Sequence, residues 1–441
     1  MARRIKHITR KRGAALVLLL FIGVASLIIG ISMVYAGLQG RLLAVRSVQL
    51  LQAKVASDAG IDYAFNWMQN RIHDPNQPTW DNSVFPLDTS GSPVTLPGSN
   101  SQFSYVITQT TNFSTPPYDP NGFRIVSTGT NAGRTHTTTL DIEVKNLFAG
   151  ILAADVIKLD GEFYTLPADQ DFLIQSNSTE SPSVTLKPNT PFPGDIAVGP
   201  GVEDPIEDGT VEIQPGSTVN GDIYSASDPI VFPPAPVPDT SGTTDIGVIN
   251  STMTLDPNLT RVQVSDIDLA LGEVLTIAHS CFIDVTGKID LGNSAGIDIT
   301  SGAQVVIYVD GEQNGTNREA VILGKDAWIQ VNGALELYLN GNMVGQNATG
   351  IINLTGDATN VSLYGTSNCG SIDLFAGSNS QMSVYAPDAD LTVYNSGEFT
   401  GAVVGKSIVT KQDVKFTYDA RLAVGSIDHF SAYFDRTRWW E

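Results

Sequence analysis

Residues 14–35 read AALVLLLFIGVASLIIGISMVY and contain no charged side chain. As an α-helix, a run of about 22 residues at about 1.5 Å per residue matches the roughly 30 Å hydrocarbon core of a bilayer. An excess of Lys and Arg marks the cytoplasmic side of a membrane helix. The sequence therefore predicts a single-pass inner-membrane helix at 14–35, with a cytoplasmic N-terminus and a body that is periplasmic or extracellular. Six basic residues precede the run: Arg3, Arg4, Lys6, Arg10, Lys11 and Arg12.

The rest of the chain is strongly acidic. The formal net charge is −21, from 25 Lys and Arg against 46 Asp and Glu, and the first acidic residue is Asp58. With the six basic residues before the apolar run set aside, 19 basic residues face all 46 acidic ones. A body of this charge repels polyanions, so we expect no nucleic-acid partner.

The apolar run continues without proline into residues 36–72. A secretory signal would instead have a shorter apolar run that ends at a small-residue cleavage site. We therefore predict one helix of nearly 60 residues, half in the bilayer and half outside it, with a plain uncleaved signal anchor as the alternative. Positions in 36–72 follow helical three- and four-residue spacing: Leu38, Leu42, Val45, Gln49, Gln52, Val55, Ala59 and Asp62.

The N-terminal region resembles the leader and helix of type IV pilins and type II secretion pseudopilins. The resemblance is closest to the PilX-type N-terminal domain over about residues 8–72. It rests on Arg12-Gly13-Ala14-Ala15-Leu16-Val17 and on Ala56-Ser57-Asp58-Ala59-Gly60. It implies that residues 1–13 are a cytoplasmic prepilin-like leader, that prepilin peptidase cleaves between Gly13 and Ala14, and that the helix packs with other pilin-like subunits.

Two positions depart from the pattern of major pilins. The first mature residue would be Ala14 instead of Phe or Met, and the fifth would be Leu18 instead of Glu. That Glu neutralises a neighbour's N-terminal amine inside the apolar fibre core, where an unpaired charge is costly. PilX-type proteins share its absence, so the resemblance implies a minor or tip subunit.

A small pilin-like β domain is predicted for residues 73–146. Its first part, up to Asn100, is rich in Pro, Asn, Asp and Ser and is typical of a loop. Three alternating segments then predict strands at Gln102–Thr108, Phe123–Gly129 and Thr135–Val144. An antiparallel sheet of these strands would bury the apolar stripe of the outer half-helix.

Residues 147–430 contain short apolar strands separated by Gly, Asn and Asp. Related fragments place Tyr308, Tyr338 and Tyr364 at separations of 30 and 26 residues. Repeats of about 20 to 30 residues with strand and turn content predict coils of a parallel β-helix. A β-sandwich is the alternative, with hairpin dipeptides such as Asp160-Gly161 and Asn332-Gly333 in its favour.

The C-terminal half resembles an uncharacterised bacterial domain that commonly follows PilX-type N-termini. Three motifs carry the resemblance over roughly residues 200–441. The resemblance implies a right-handed β-helix, in which Pro387 would end a strand and Phe399 and Phe416 would stack inside. We expect residues 431–441 to form an aromatic cap over the last coil. The motifs are Val384-Tyr385-Ala386-Pro387-Asp388-Ala389, Gly397-Glu398-Phe399-Thr400-Gly401-Ala402-Val403 and Phe416-Thr417-Tyr418-Asp419.

No catalytic motif is found in the sequence, and the abundant acidic residues cannot be paired into an acid and a base at a defined separation. His136 and His279 are isolated, so we predict no enzyme and no required cofactor. A weak calcium candidate is Asp310, Glu312 and Asn314, which resemble half of an EF-hand loop. Cys281 and Cys369 are either a disulfide or two buried thiols.

These observations favour a minor pilin or pseudopilin-like structural subunit that displays a mainly β body on a pilus-like fibre or the cell surface. Its partners would be prepilin peptidase, other pilin-like subunits and the inner membrane. An alternative is a membrane-anchored adhesin whose β-helix binds a surface glycan. A third hypothesis is a polysaccharide-active β-helix enzyme, because many β-helix proteins act on polysaccharides.

Overall fold

A computed structural model describes residues 5–72, 87–110, 122–167, 172–315, 317–345, 349–375, 380–394, 397–411, 413–424 and 432–440. Within these ranges, the side chains of 5–15, 72, 109–110, 143–145, 423–424 and 432–440 are not described. The chain is mainly β with one long N-terminal helix.

The N-terminal helix runs without interruption from Ile5 to Ile72. The predicted helix over 14–72 is therefore confirmed, and the helix also includes the residues that precede the apolar run. No proline interrupts it, and glycines in the apolar run have open space around them. By length and composition this helix can cross a membrane.

A small antiparallel sheet lies against the last third of the helix. The three strands predicted from the sequence are present as its central strands, each a few residues longer than expected. The region predicted as a loop contributes two strands of two residues each. The strands are Leu87–Asp88, Val94–Thr95, Gln102–Thr110, Gly122–Asn131, Arg134–Asn146 and Ala432–Trp440.

The last strand of this sheet corrects one prediction. We expected residues 431–441 to cover the last coil of the β-helix. Instead, Ala432–Trp440 pairs antiparallel with Arg134–Asn146 and forms an edge of the small sheet, while residues 431 and 441 lie outside the described ranges. The aromatic composition of this segment indicated a cover but could not indicate which surface would be covered.

The helix and the small sheet approach each other so closely that backbone touches backbone. A Cβ atom at Gly129 would overlap the carbonyl oxygen of Ala53 and the amide nitrogen of Ser57. A Cβ atom at Gly60 would overlap Ser127 and Phe103 in the sheet. Small residues on both surfaces therefore set the distance between the two elements. The helix contributes Ala56, Ile61, Ala64, Phe65 and Met68 to the shared core.

Most of the remaining strands form three parallel ladders around one continuous core. The first ladder contains twelve strands, and the residues at its centre are Cα partners from end to end. In spatial order its strands are Ile223–Ser225, Asp195–Val198, Leu173–Ser176, Gly150–Ala153, Glu398–Thr410, Ser380–Tyr394, Val361–Gly365, Ala334–Leu339, Gln304–Val309, Cys281–Val285, Arg261–Val264 and Thr244–Asp245.

The second ladder shares the two longest strands, 380–394 and 398–410, with the first. Its other strands are Val211–Ile213, Val184–Leu186, Ile157–Leu159, Ser371–Phe375, Asn342–Gly345, Asn317–Leu323, Ile289–Leu291 and Ile267–Leu269. The third ladder is Met253–Thr254, Val274–Ile277, Gly296–Ile299, Trp328–Val331 and Gly350–Asn353.

A few further elements complete the body. Gly161–Leu166 pairs with Val414–Asp419, Pro191–Phe192 pairs with Thr218–Val219, and Glu312–Asn314 forms a hairpin with the strand that begins at Asn317. Two 3-10 helices span Ala358–Asn360 and Ala420–Val424.

Parallel pairing between strands 20 to 30 residues apart is consistent with the expected β-helix and differs from the antiparallel hairpins of a sandwich. The tyrosines that first indicated the repeat are direct partners: Tyr308 is opposite Tyr338, which is opposite Tyr364. Inward-pointing Val, Ile and Leu residues on the neighbouring positions are fully buried, as the alternation of a strand requires.

The spatial order of the coils differs from their order in the chain. The chain enters the stack at residue 150, in the fourth of the twelve strands of the first ladder, and builds outward as far as Ser225. After residue 244 it builds back from the opposite end until 398–419 pairs with 150–166. We call residues 147–225 the N-terminal coils and residues 244–424 the C-terminal coils. The seam is the set of strand pairings between them, in which 398–410 pairs with 150–159 and 414–419 pairs with 161–166.

Phenylalanine rings fill the core on both sides of the seam. Phe399 and Phe416 stack at 5.1 Å between ring centroids, as predicted, and Phe416 stacks on Phe163 at 6.0 Å across the seam. Phe172 and Phe192 continue the row into the N-terminal coils at 4.9 Å. The two sets of coils therefore share one hydrophobic core, although about 250 residues separate the paired strands in sequence.

Residues 226–243, which we call the strap, connect the two outer ends of the stack. The strap contains five prolines and forms neither helix nor strand. It has to pass along the whole stack because its two ends join the first and the last strand of the first ladder.

Replacing Gly129 by Ala tests the contact between helix and sheet. The added methyl group would meet backbone atoms that cannot rotate away, and overpacking of this kind costs about 1–3 kcal/mol. We expect amides in 122–131 and 134–146 to exchange roughly tenfold faster in the full-length protein, measured by mass spectrometry. Gly91→Ala is the control, because nothing lies within 4 Å of its added Cβ. Equal exchange in the two variants would contradict the proposed close contact.

Candidate functional site: the N-terminal helix and its joint with the small sheet

Residues 16–52 of the N-terminal helix expose apolar side chains on every side. Successive helical residues differ by about 100°, so Leu42, Leu43, Leu51 and Val45 point in directions near 0°, 100°, 180° and 300°. All four are exposed, Leu51 by 61 %. A helix that is apolar all round is normally buried all round. This part of the helix therefore requires surroundings that the described residues do not provide.

The exposed apolar part is longer than a bilayer is thick. Residues 14–35 account for the hydrocarbon core, and burial against the small sheet begins at Ala53. Between them, residues 36–52 extend about 25 Å at about 1.5 Å per residue. Within this stretch Val48 is 54 % exposed, and the charged residues are Arg41 and Arg46.

A polar cluster fixes the helix to the sheet just beyond this stretch. The hydroxyl of Ser57, which is fully buried, lies 3.0 Å from His136 Nδ1 and 2.8 Å from Thr138 Oγ1. Thr138 in turn donates a hydrogen bond of 2.9 Å to the carboxylate of Asp58. The buried polar groups of this cluster hydrogen-bond to one another. The cluster therefore positions the helix on the sheet, and it offers no accessible nucleophile.

This joint explains the Ala56-Ser57-Asp58-Ala59-Gly60 segment singled out in the sequence. Ala56 packs in the shared core, Ser57 and Asp58 bond to the sheet, and Gly60 allows close approach. Gly129, the partner of this segment in the sheet, was missed by sequence reasoning. Only its place inside an alternating strand could have indicated a close backbone approach.

The predicted processing site lies within the helix. The backbone of Gly13 and Ala14 is helical, and the side chain of Ala14 lies outside the described set. Leu18, which stands where major pilins have Glu, is 63 % exposed on the apolar part of the helix. Cleavage at Gly13 stays a prediction.

The weak calcium candidate stays a prediction, and its three side chains have other partners. The carboxylate of Asp310 pairs with Arg318 at 2.8 Å, and Glu312 pairs with Lys288 at 3.3 Å. Asn314 donates to Glu319 across a hairpin turn. An EF-hand loop would turn its oxygens toward one point. In the part of the chain that the structure describes, no group of three or more His, Cys, Asp or Glu is placed to hold a metal ion.

Cys281 and Cys369 are two buried free thiols. Cys281 is opposite Val305, which is opposite Leu335 and then Val361, so three ladder steps separate Cys281 from the coil that holds Cys369. Three steps of about 4.8 Å exceed the reach of a disulfide. Burial raises the pKa of Cys281 to about 11 and that of Cys369 to about 12.

The three C-terminal motifs have structural roles. Tyr418 stacks on Phe172 at 5.3 Å, and the buried carboxylate of Asp419 pairs with Arg421 at 2.6 Å. Gly401 has a φ of 153°, and a Cβ there would overlap the backbone of Met382. Pro387 does not end a strand as expected, because Ser380–Tyr394 continues past it with a register shift.

The comparisons with known proteins include a family model and a solved pilin structure. Residues 284–424 match the model of a family described as a domain of unknown function, DUF7305, and this range contains all three motifs. No curated protein matches the chain.

Among solved structures, the chain is similar to the crystal structure of the competence-associated pilin ComZ from Thermus thermophilus. The identity is 13 %, over 89 % of this chain and 97 % of that chain, and the TM-score is 0.24. A TM-score of this size does not establish a shared fold.

Alkylation tests the burial of the two cysteines. A thiol reacts as its thiolate, and a raised pKa together with burial removes the thiolate at neutral pH. We expect no iodoacetamide adduct on either residue in the folded protein at pH 8 and complete reaction of both in denaturant, measured by mass spectrometry. Ser301→Cys, at an exposed turn, is the positive control and reacts in the folded protein. Native labelling at Cys281 or Cys369 would contradict this.

Proposed function

We propose that this chain is a minor pilin-like structural subunit, anchored in the inner membrane by residues 14–35 and assembled through its N-terminal helix. The observation that carries the proposal is the exposure of apolar side chains on all sides of the helix as far as Leu51. The PilX-type sequence resemblance over residues 8–72 agrees with it.

The length of the exposed helix separates this proposal from a plain membrane anchor. A bilayer would cover residues 14–35 and leave the leucines and valines of 36–52 in water. Covering a stretch of about 25 Å from every direction takes several helices packed around it, because one partner helix covers one face only. A bundle of pilin-like helices supplies that cover.

Leu18 supports the assignment as a minor subunit. In a bundle of apolar helices an unneutralised N-terminal amine is costly, and Leu18 offers no carboxylate to a neighbour. A chain of this kind suits a few positions in an assembly, such as the tip, better than a repeated position in a fibre.

The body would be displayed as a right-handed parallel β-helix and would carry no catalysis. Both connections to the body lie at the seam, where Asn146 donates a hydrogen bond to the carbonyl of Leu422. The stack would therefore be attached at the seam, away from its two ends, and both ends would be exposed to the surroundings. Binding of a surface glycan by this body stays a prediction.

Processing in the native host tests the pilin-like assignment. If prepilin peptidase acts on the Arg12-Gly13 junction, mass spectrometry of the purified protein will find Ala14 as its first residue. The Gly13→Leu variant should retain the leader, because a bulky side chain replaces glycine at the cleavage position. An intact Met1 in the unmodified protein, or cleavage after about residue 36, would remove the proposal.

Photo-crosslinking tests which surroundings cover residues 36–52. A benzophenone amino acid at Leu43 or at Val48, on different sides of the helix, should yield crosslinks to other pilin-like chains in membranes of the native host. The same group at Leu271, which is 75 % exposed on the body, is the control and should yield none to those chains. Crosslinks to lipid alone at both helix positions would favour a plain anchor.

A further inference from the structure

The strap is fixed to coils on both sides of the seam. On the N-terminal coils, Asn177 accepts a hydrogen bond of 2.8 Å from the amide of Ile230 and donates one of 2.7 Å to its carbonyl. On the C-terminal coils, the hydroxyl of Tyr385 donates a hydrogen bond of 2.6 Å to the carbonyl of Pro233. The strap therefore crosses the seam between Ile230 and Pro233.

The far end of the strap is held by Arg261. Its Nε donates 3.2 Å to the carbonyl of Ser241, and its Nη2 donates to the carbonyl of Asp239. The guanidinium lies 4.4 Å from the ring centroid of Phe282 on the next coil. A planar guanidinium stacked on an aromatic ring loses little freedom when it donates to two carbonyls, so this contact fixes the strap firmly.

The exposure of the strap has a three-residue period. Ile230 and Pro233 are buried, whereas Val231, Pro234 and Val237 are exposed. Three residues per turn is the period of a polyproline II helix, and five prolines in this short segment favour that conformation. A polyproline II segment is extended and stiff before it makes any contact.

The length of the strap matches the length of the stack. From Ser225 to Thr244 the first ladder advances eleven steps, which is about 53 Å at about 4.8 Å per step. If all nineteen residues were in polyproline II, they would reach about 59 Å at about 3.1 Å per residue, and the turn at Ser241 and Gly242, where Gly242 has a φ of 74°, shortens that reach. The strap is thus nearly taut, with only a few ångströms of slack.

Between its anchors at Tyr385 and Arg261 the strap crosses the coils that carry a row of tyrosines. Tyr385, Tyr364, Tyr338 and Tyr308 are successive Cα partners on the outer side of the first ladder. They are at most 8 % exposed, although they alternate with inward-pointing residues. Burial raises the pKa of Tyr385, so its hydroxyl stays protonated and remains a donor to the strap.

We propose that the strap is a tension-bearing tie that keeps the seam closed. The seam joins segments that no short loop connects, so its strands would separate independently if only ladder hydrogen bonds held them. A taut segment anchored on both sides limits that separation. Because the helix and the last strand of the small sheet both connect at the seam, a pull on the helix acts on the strands that the tie protects.

Lengthening the strap tests this proposal. Insertion of Gly-Ser-Gly-Ser-Gly-Ser between Val231 and Phe232 in the full-length protein adds slack between the two anchors that flank the seam, at Ile230 and Pro233, and removes neither of them. We expect amides of 150–159 and 398–410 to exchange at least tenfold faster, while amides of 281–309, which pair within the C-terminal coils, are unchanged. The same insertion after Gly201, in an exposed loop with open space around it, is the control.

A second variant keeps the test decisive if the insertion prevents folding. Tyr385→Phe removes only the hydroxyl that bonds Pro233, and we expect roughly threefold faster exchange at the seam. Tyr338→Phe is the matched control, because its hydroxyl bonds Glu336 and gives no such increase. Unchanged exchange at the seam, or an equal increase at the seam and at 281–309, would overturn the proposal.

Discussion

Backbone pairing between residues 398–410 and 150–159 is the interaction on which the rest of the body depends. Without this pairing, the body would be two separate stacks of coils with four open ends in total. The pairing also brings the entry and the exit of the body together, so that Asn146 meets Leu422. The last strand of the small sheet can reach its neighbour only because the chain leaves the body beside the place where it entered.

The body and the N-terminal helix differ in how their apolar side chains are covered. In the body, parallel strands enclose their own Val, Ile, Leu and Phe side chains, and the outermost strands are only two or three residues long, which limits unpaired edge. In the helix, residues before Ala53 are left for others to cover. The boundary falls where Gly129 and Gly60 let the sheet touch the helix. This contrast separates a self-sufficient body from a helical segment whose apolar side chains the described residues leave exposed.

Sequence periodicity predicted the helix, the three central strands of the small sheet and the repeat marked by Tyr308, Tyr338 and Tyr364. It could not predict the order of the coils, because every coil has the same alternating pattern and any two could pair. The partners of Asp310 and Glu312 could not be predicted, because Arg318 and Lys288 come from a neighbouring strand and a neighbouring coil. The proline-rich strap was visible in the sequence, but its target, Tyr385, depends on the coil order.

The strap also constrains how proteins of this architecture can change in length. A coil inserted at either outer end would leave the joint with the helix untouched, since that joint lies at the seam, away from both ends of the stack. It would, however, move the strap's attachment by about 4.8 Å, which a polyproline II segment spans with one or two residues. Coil number and strap length would therefore have to evolve together, and relatives with longer bodies should carry proportionally longer proline-rich connections.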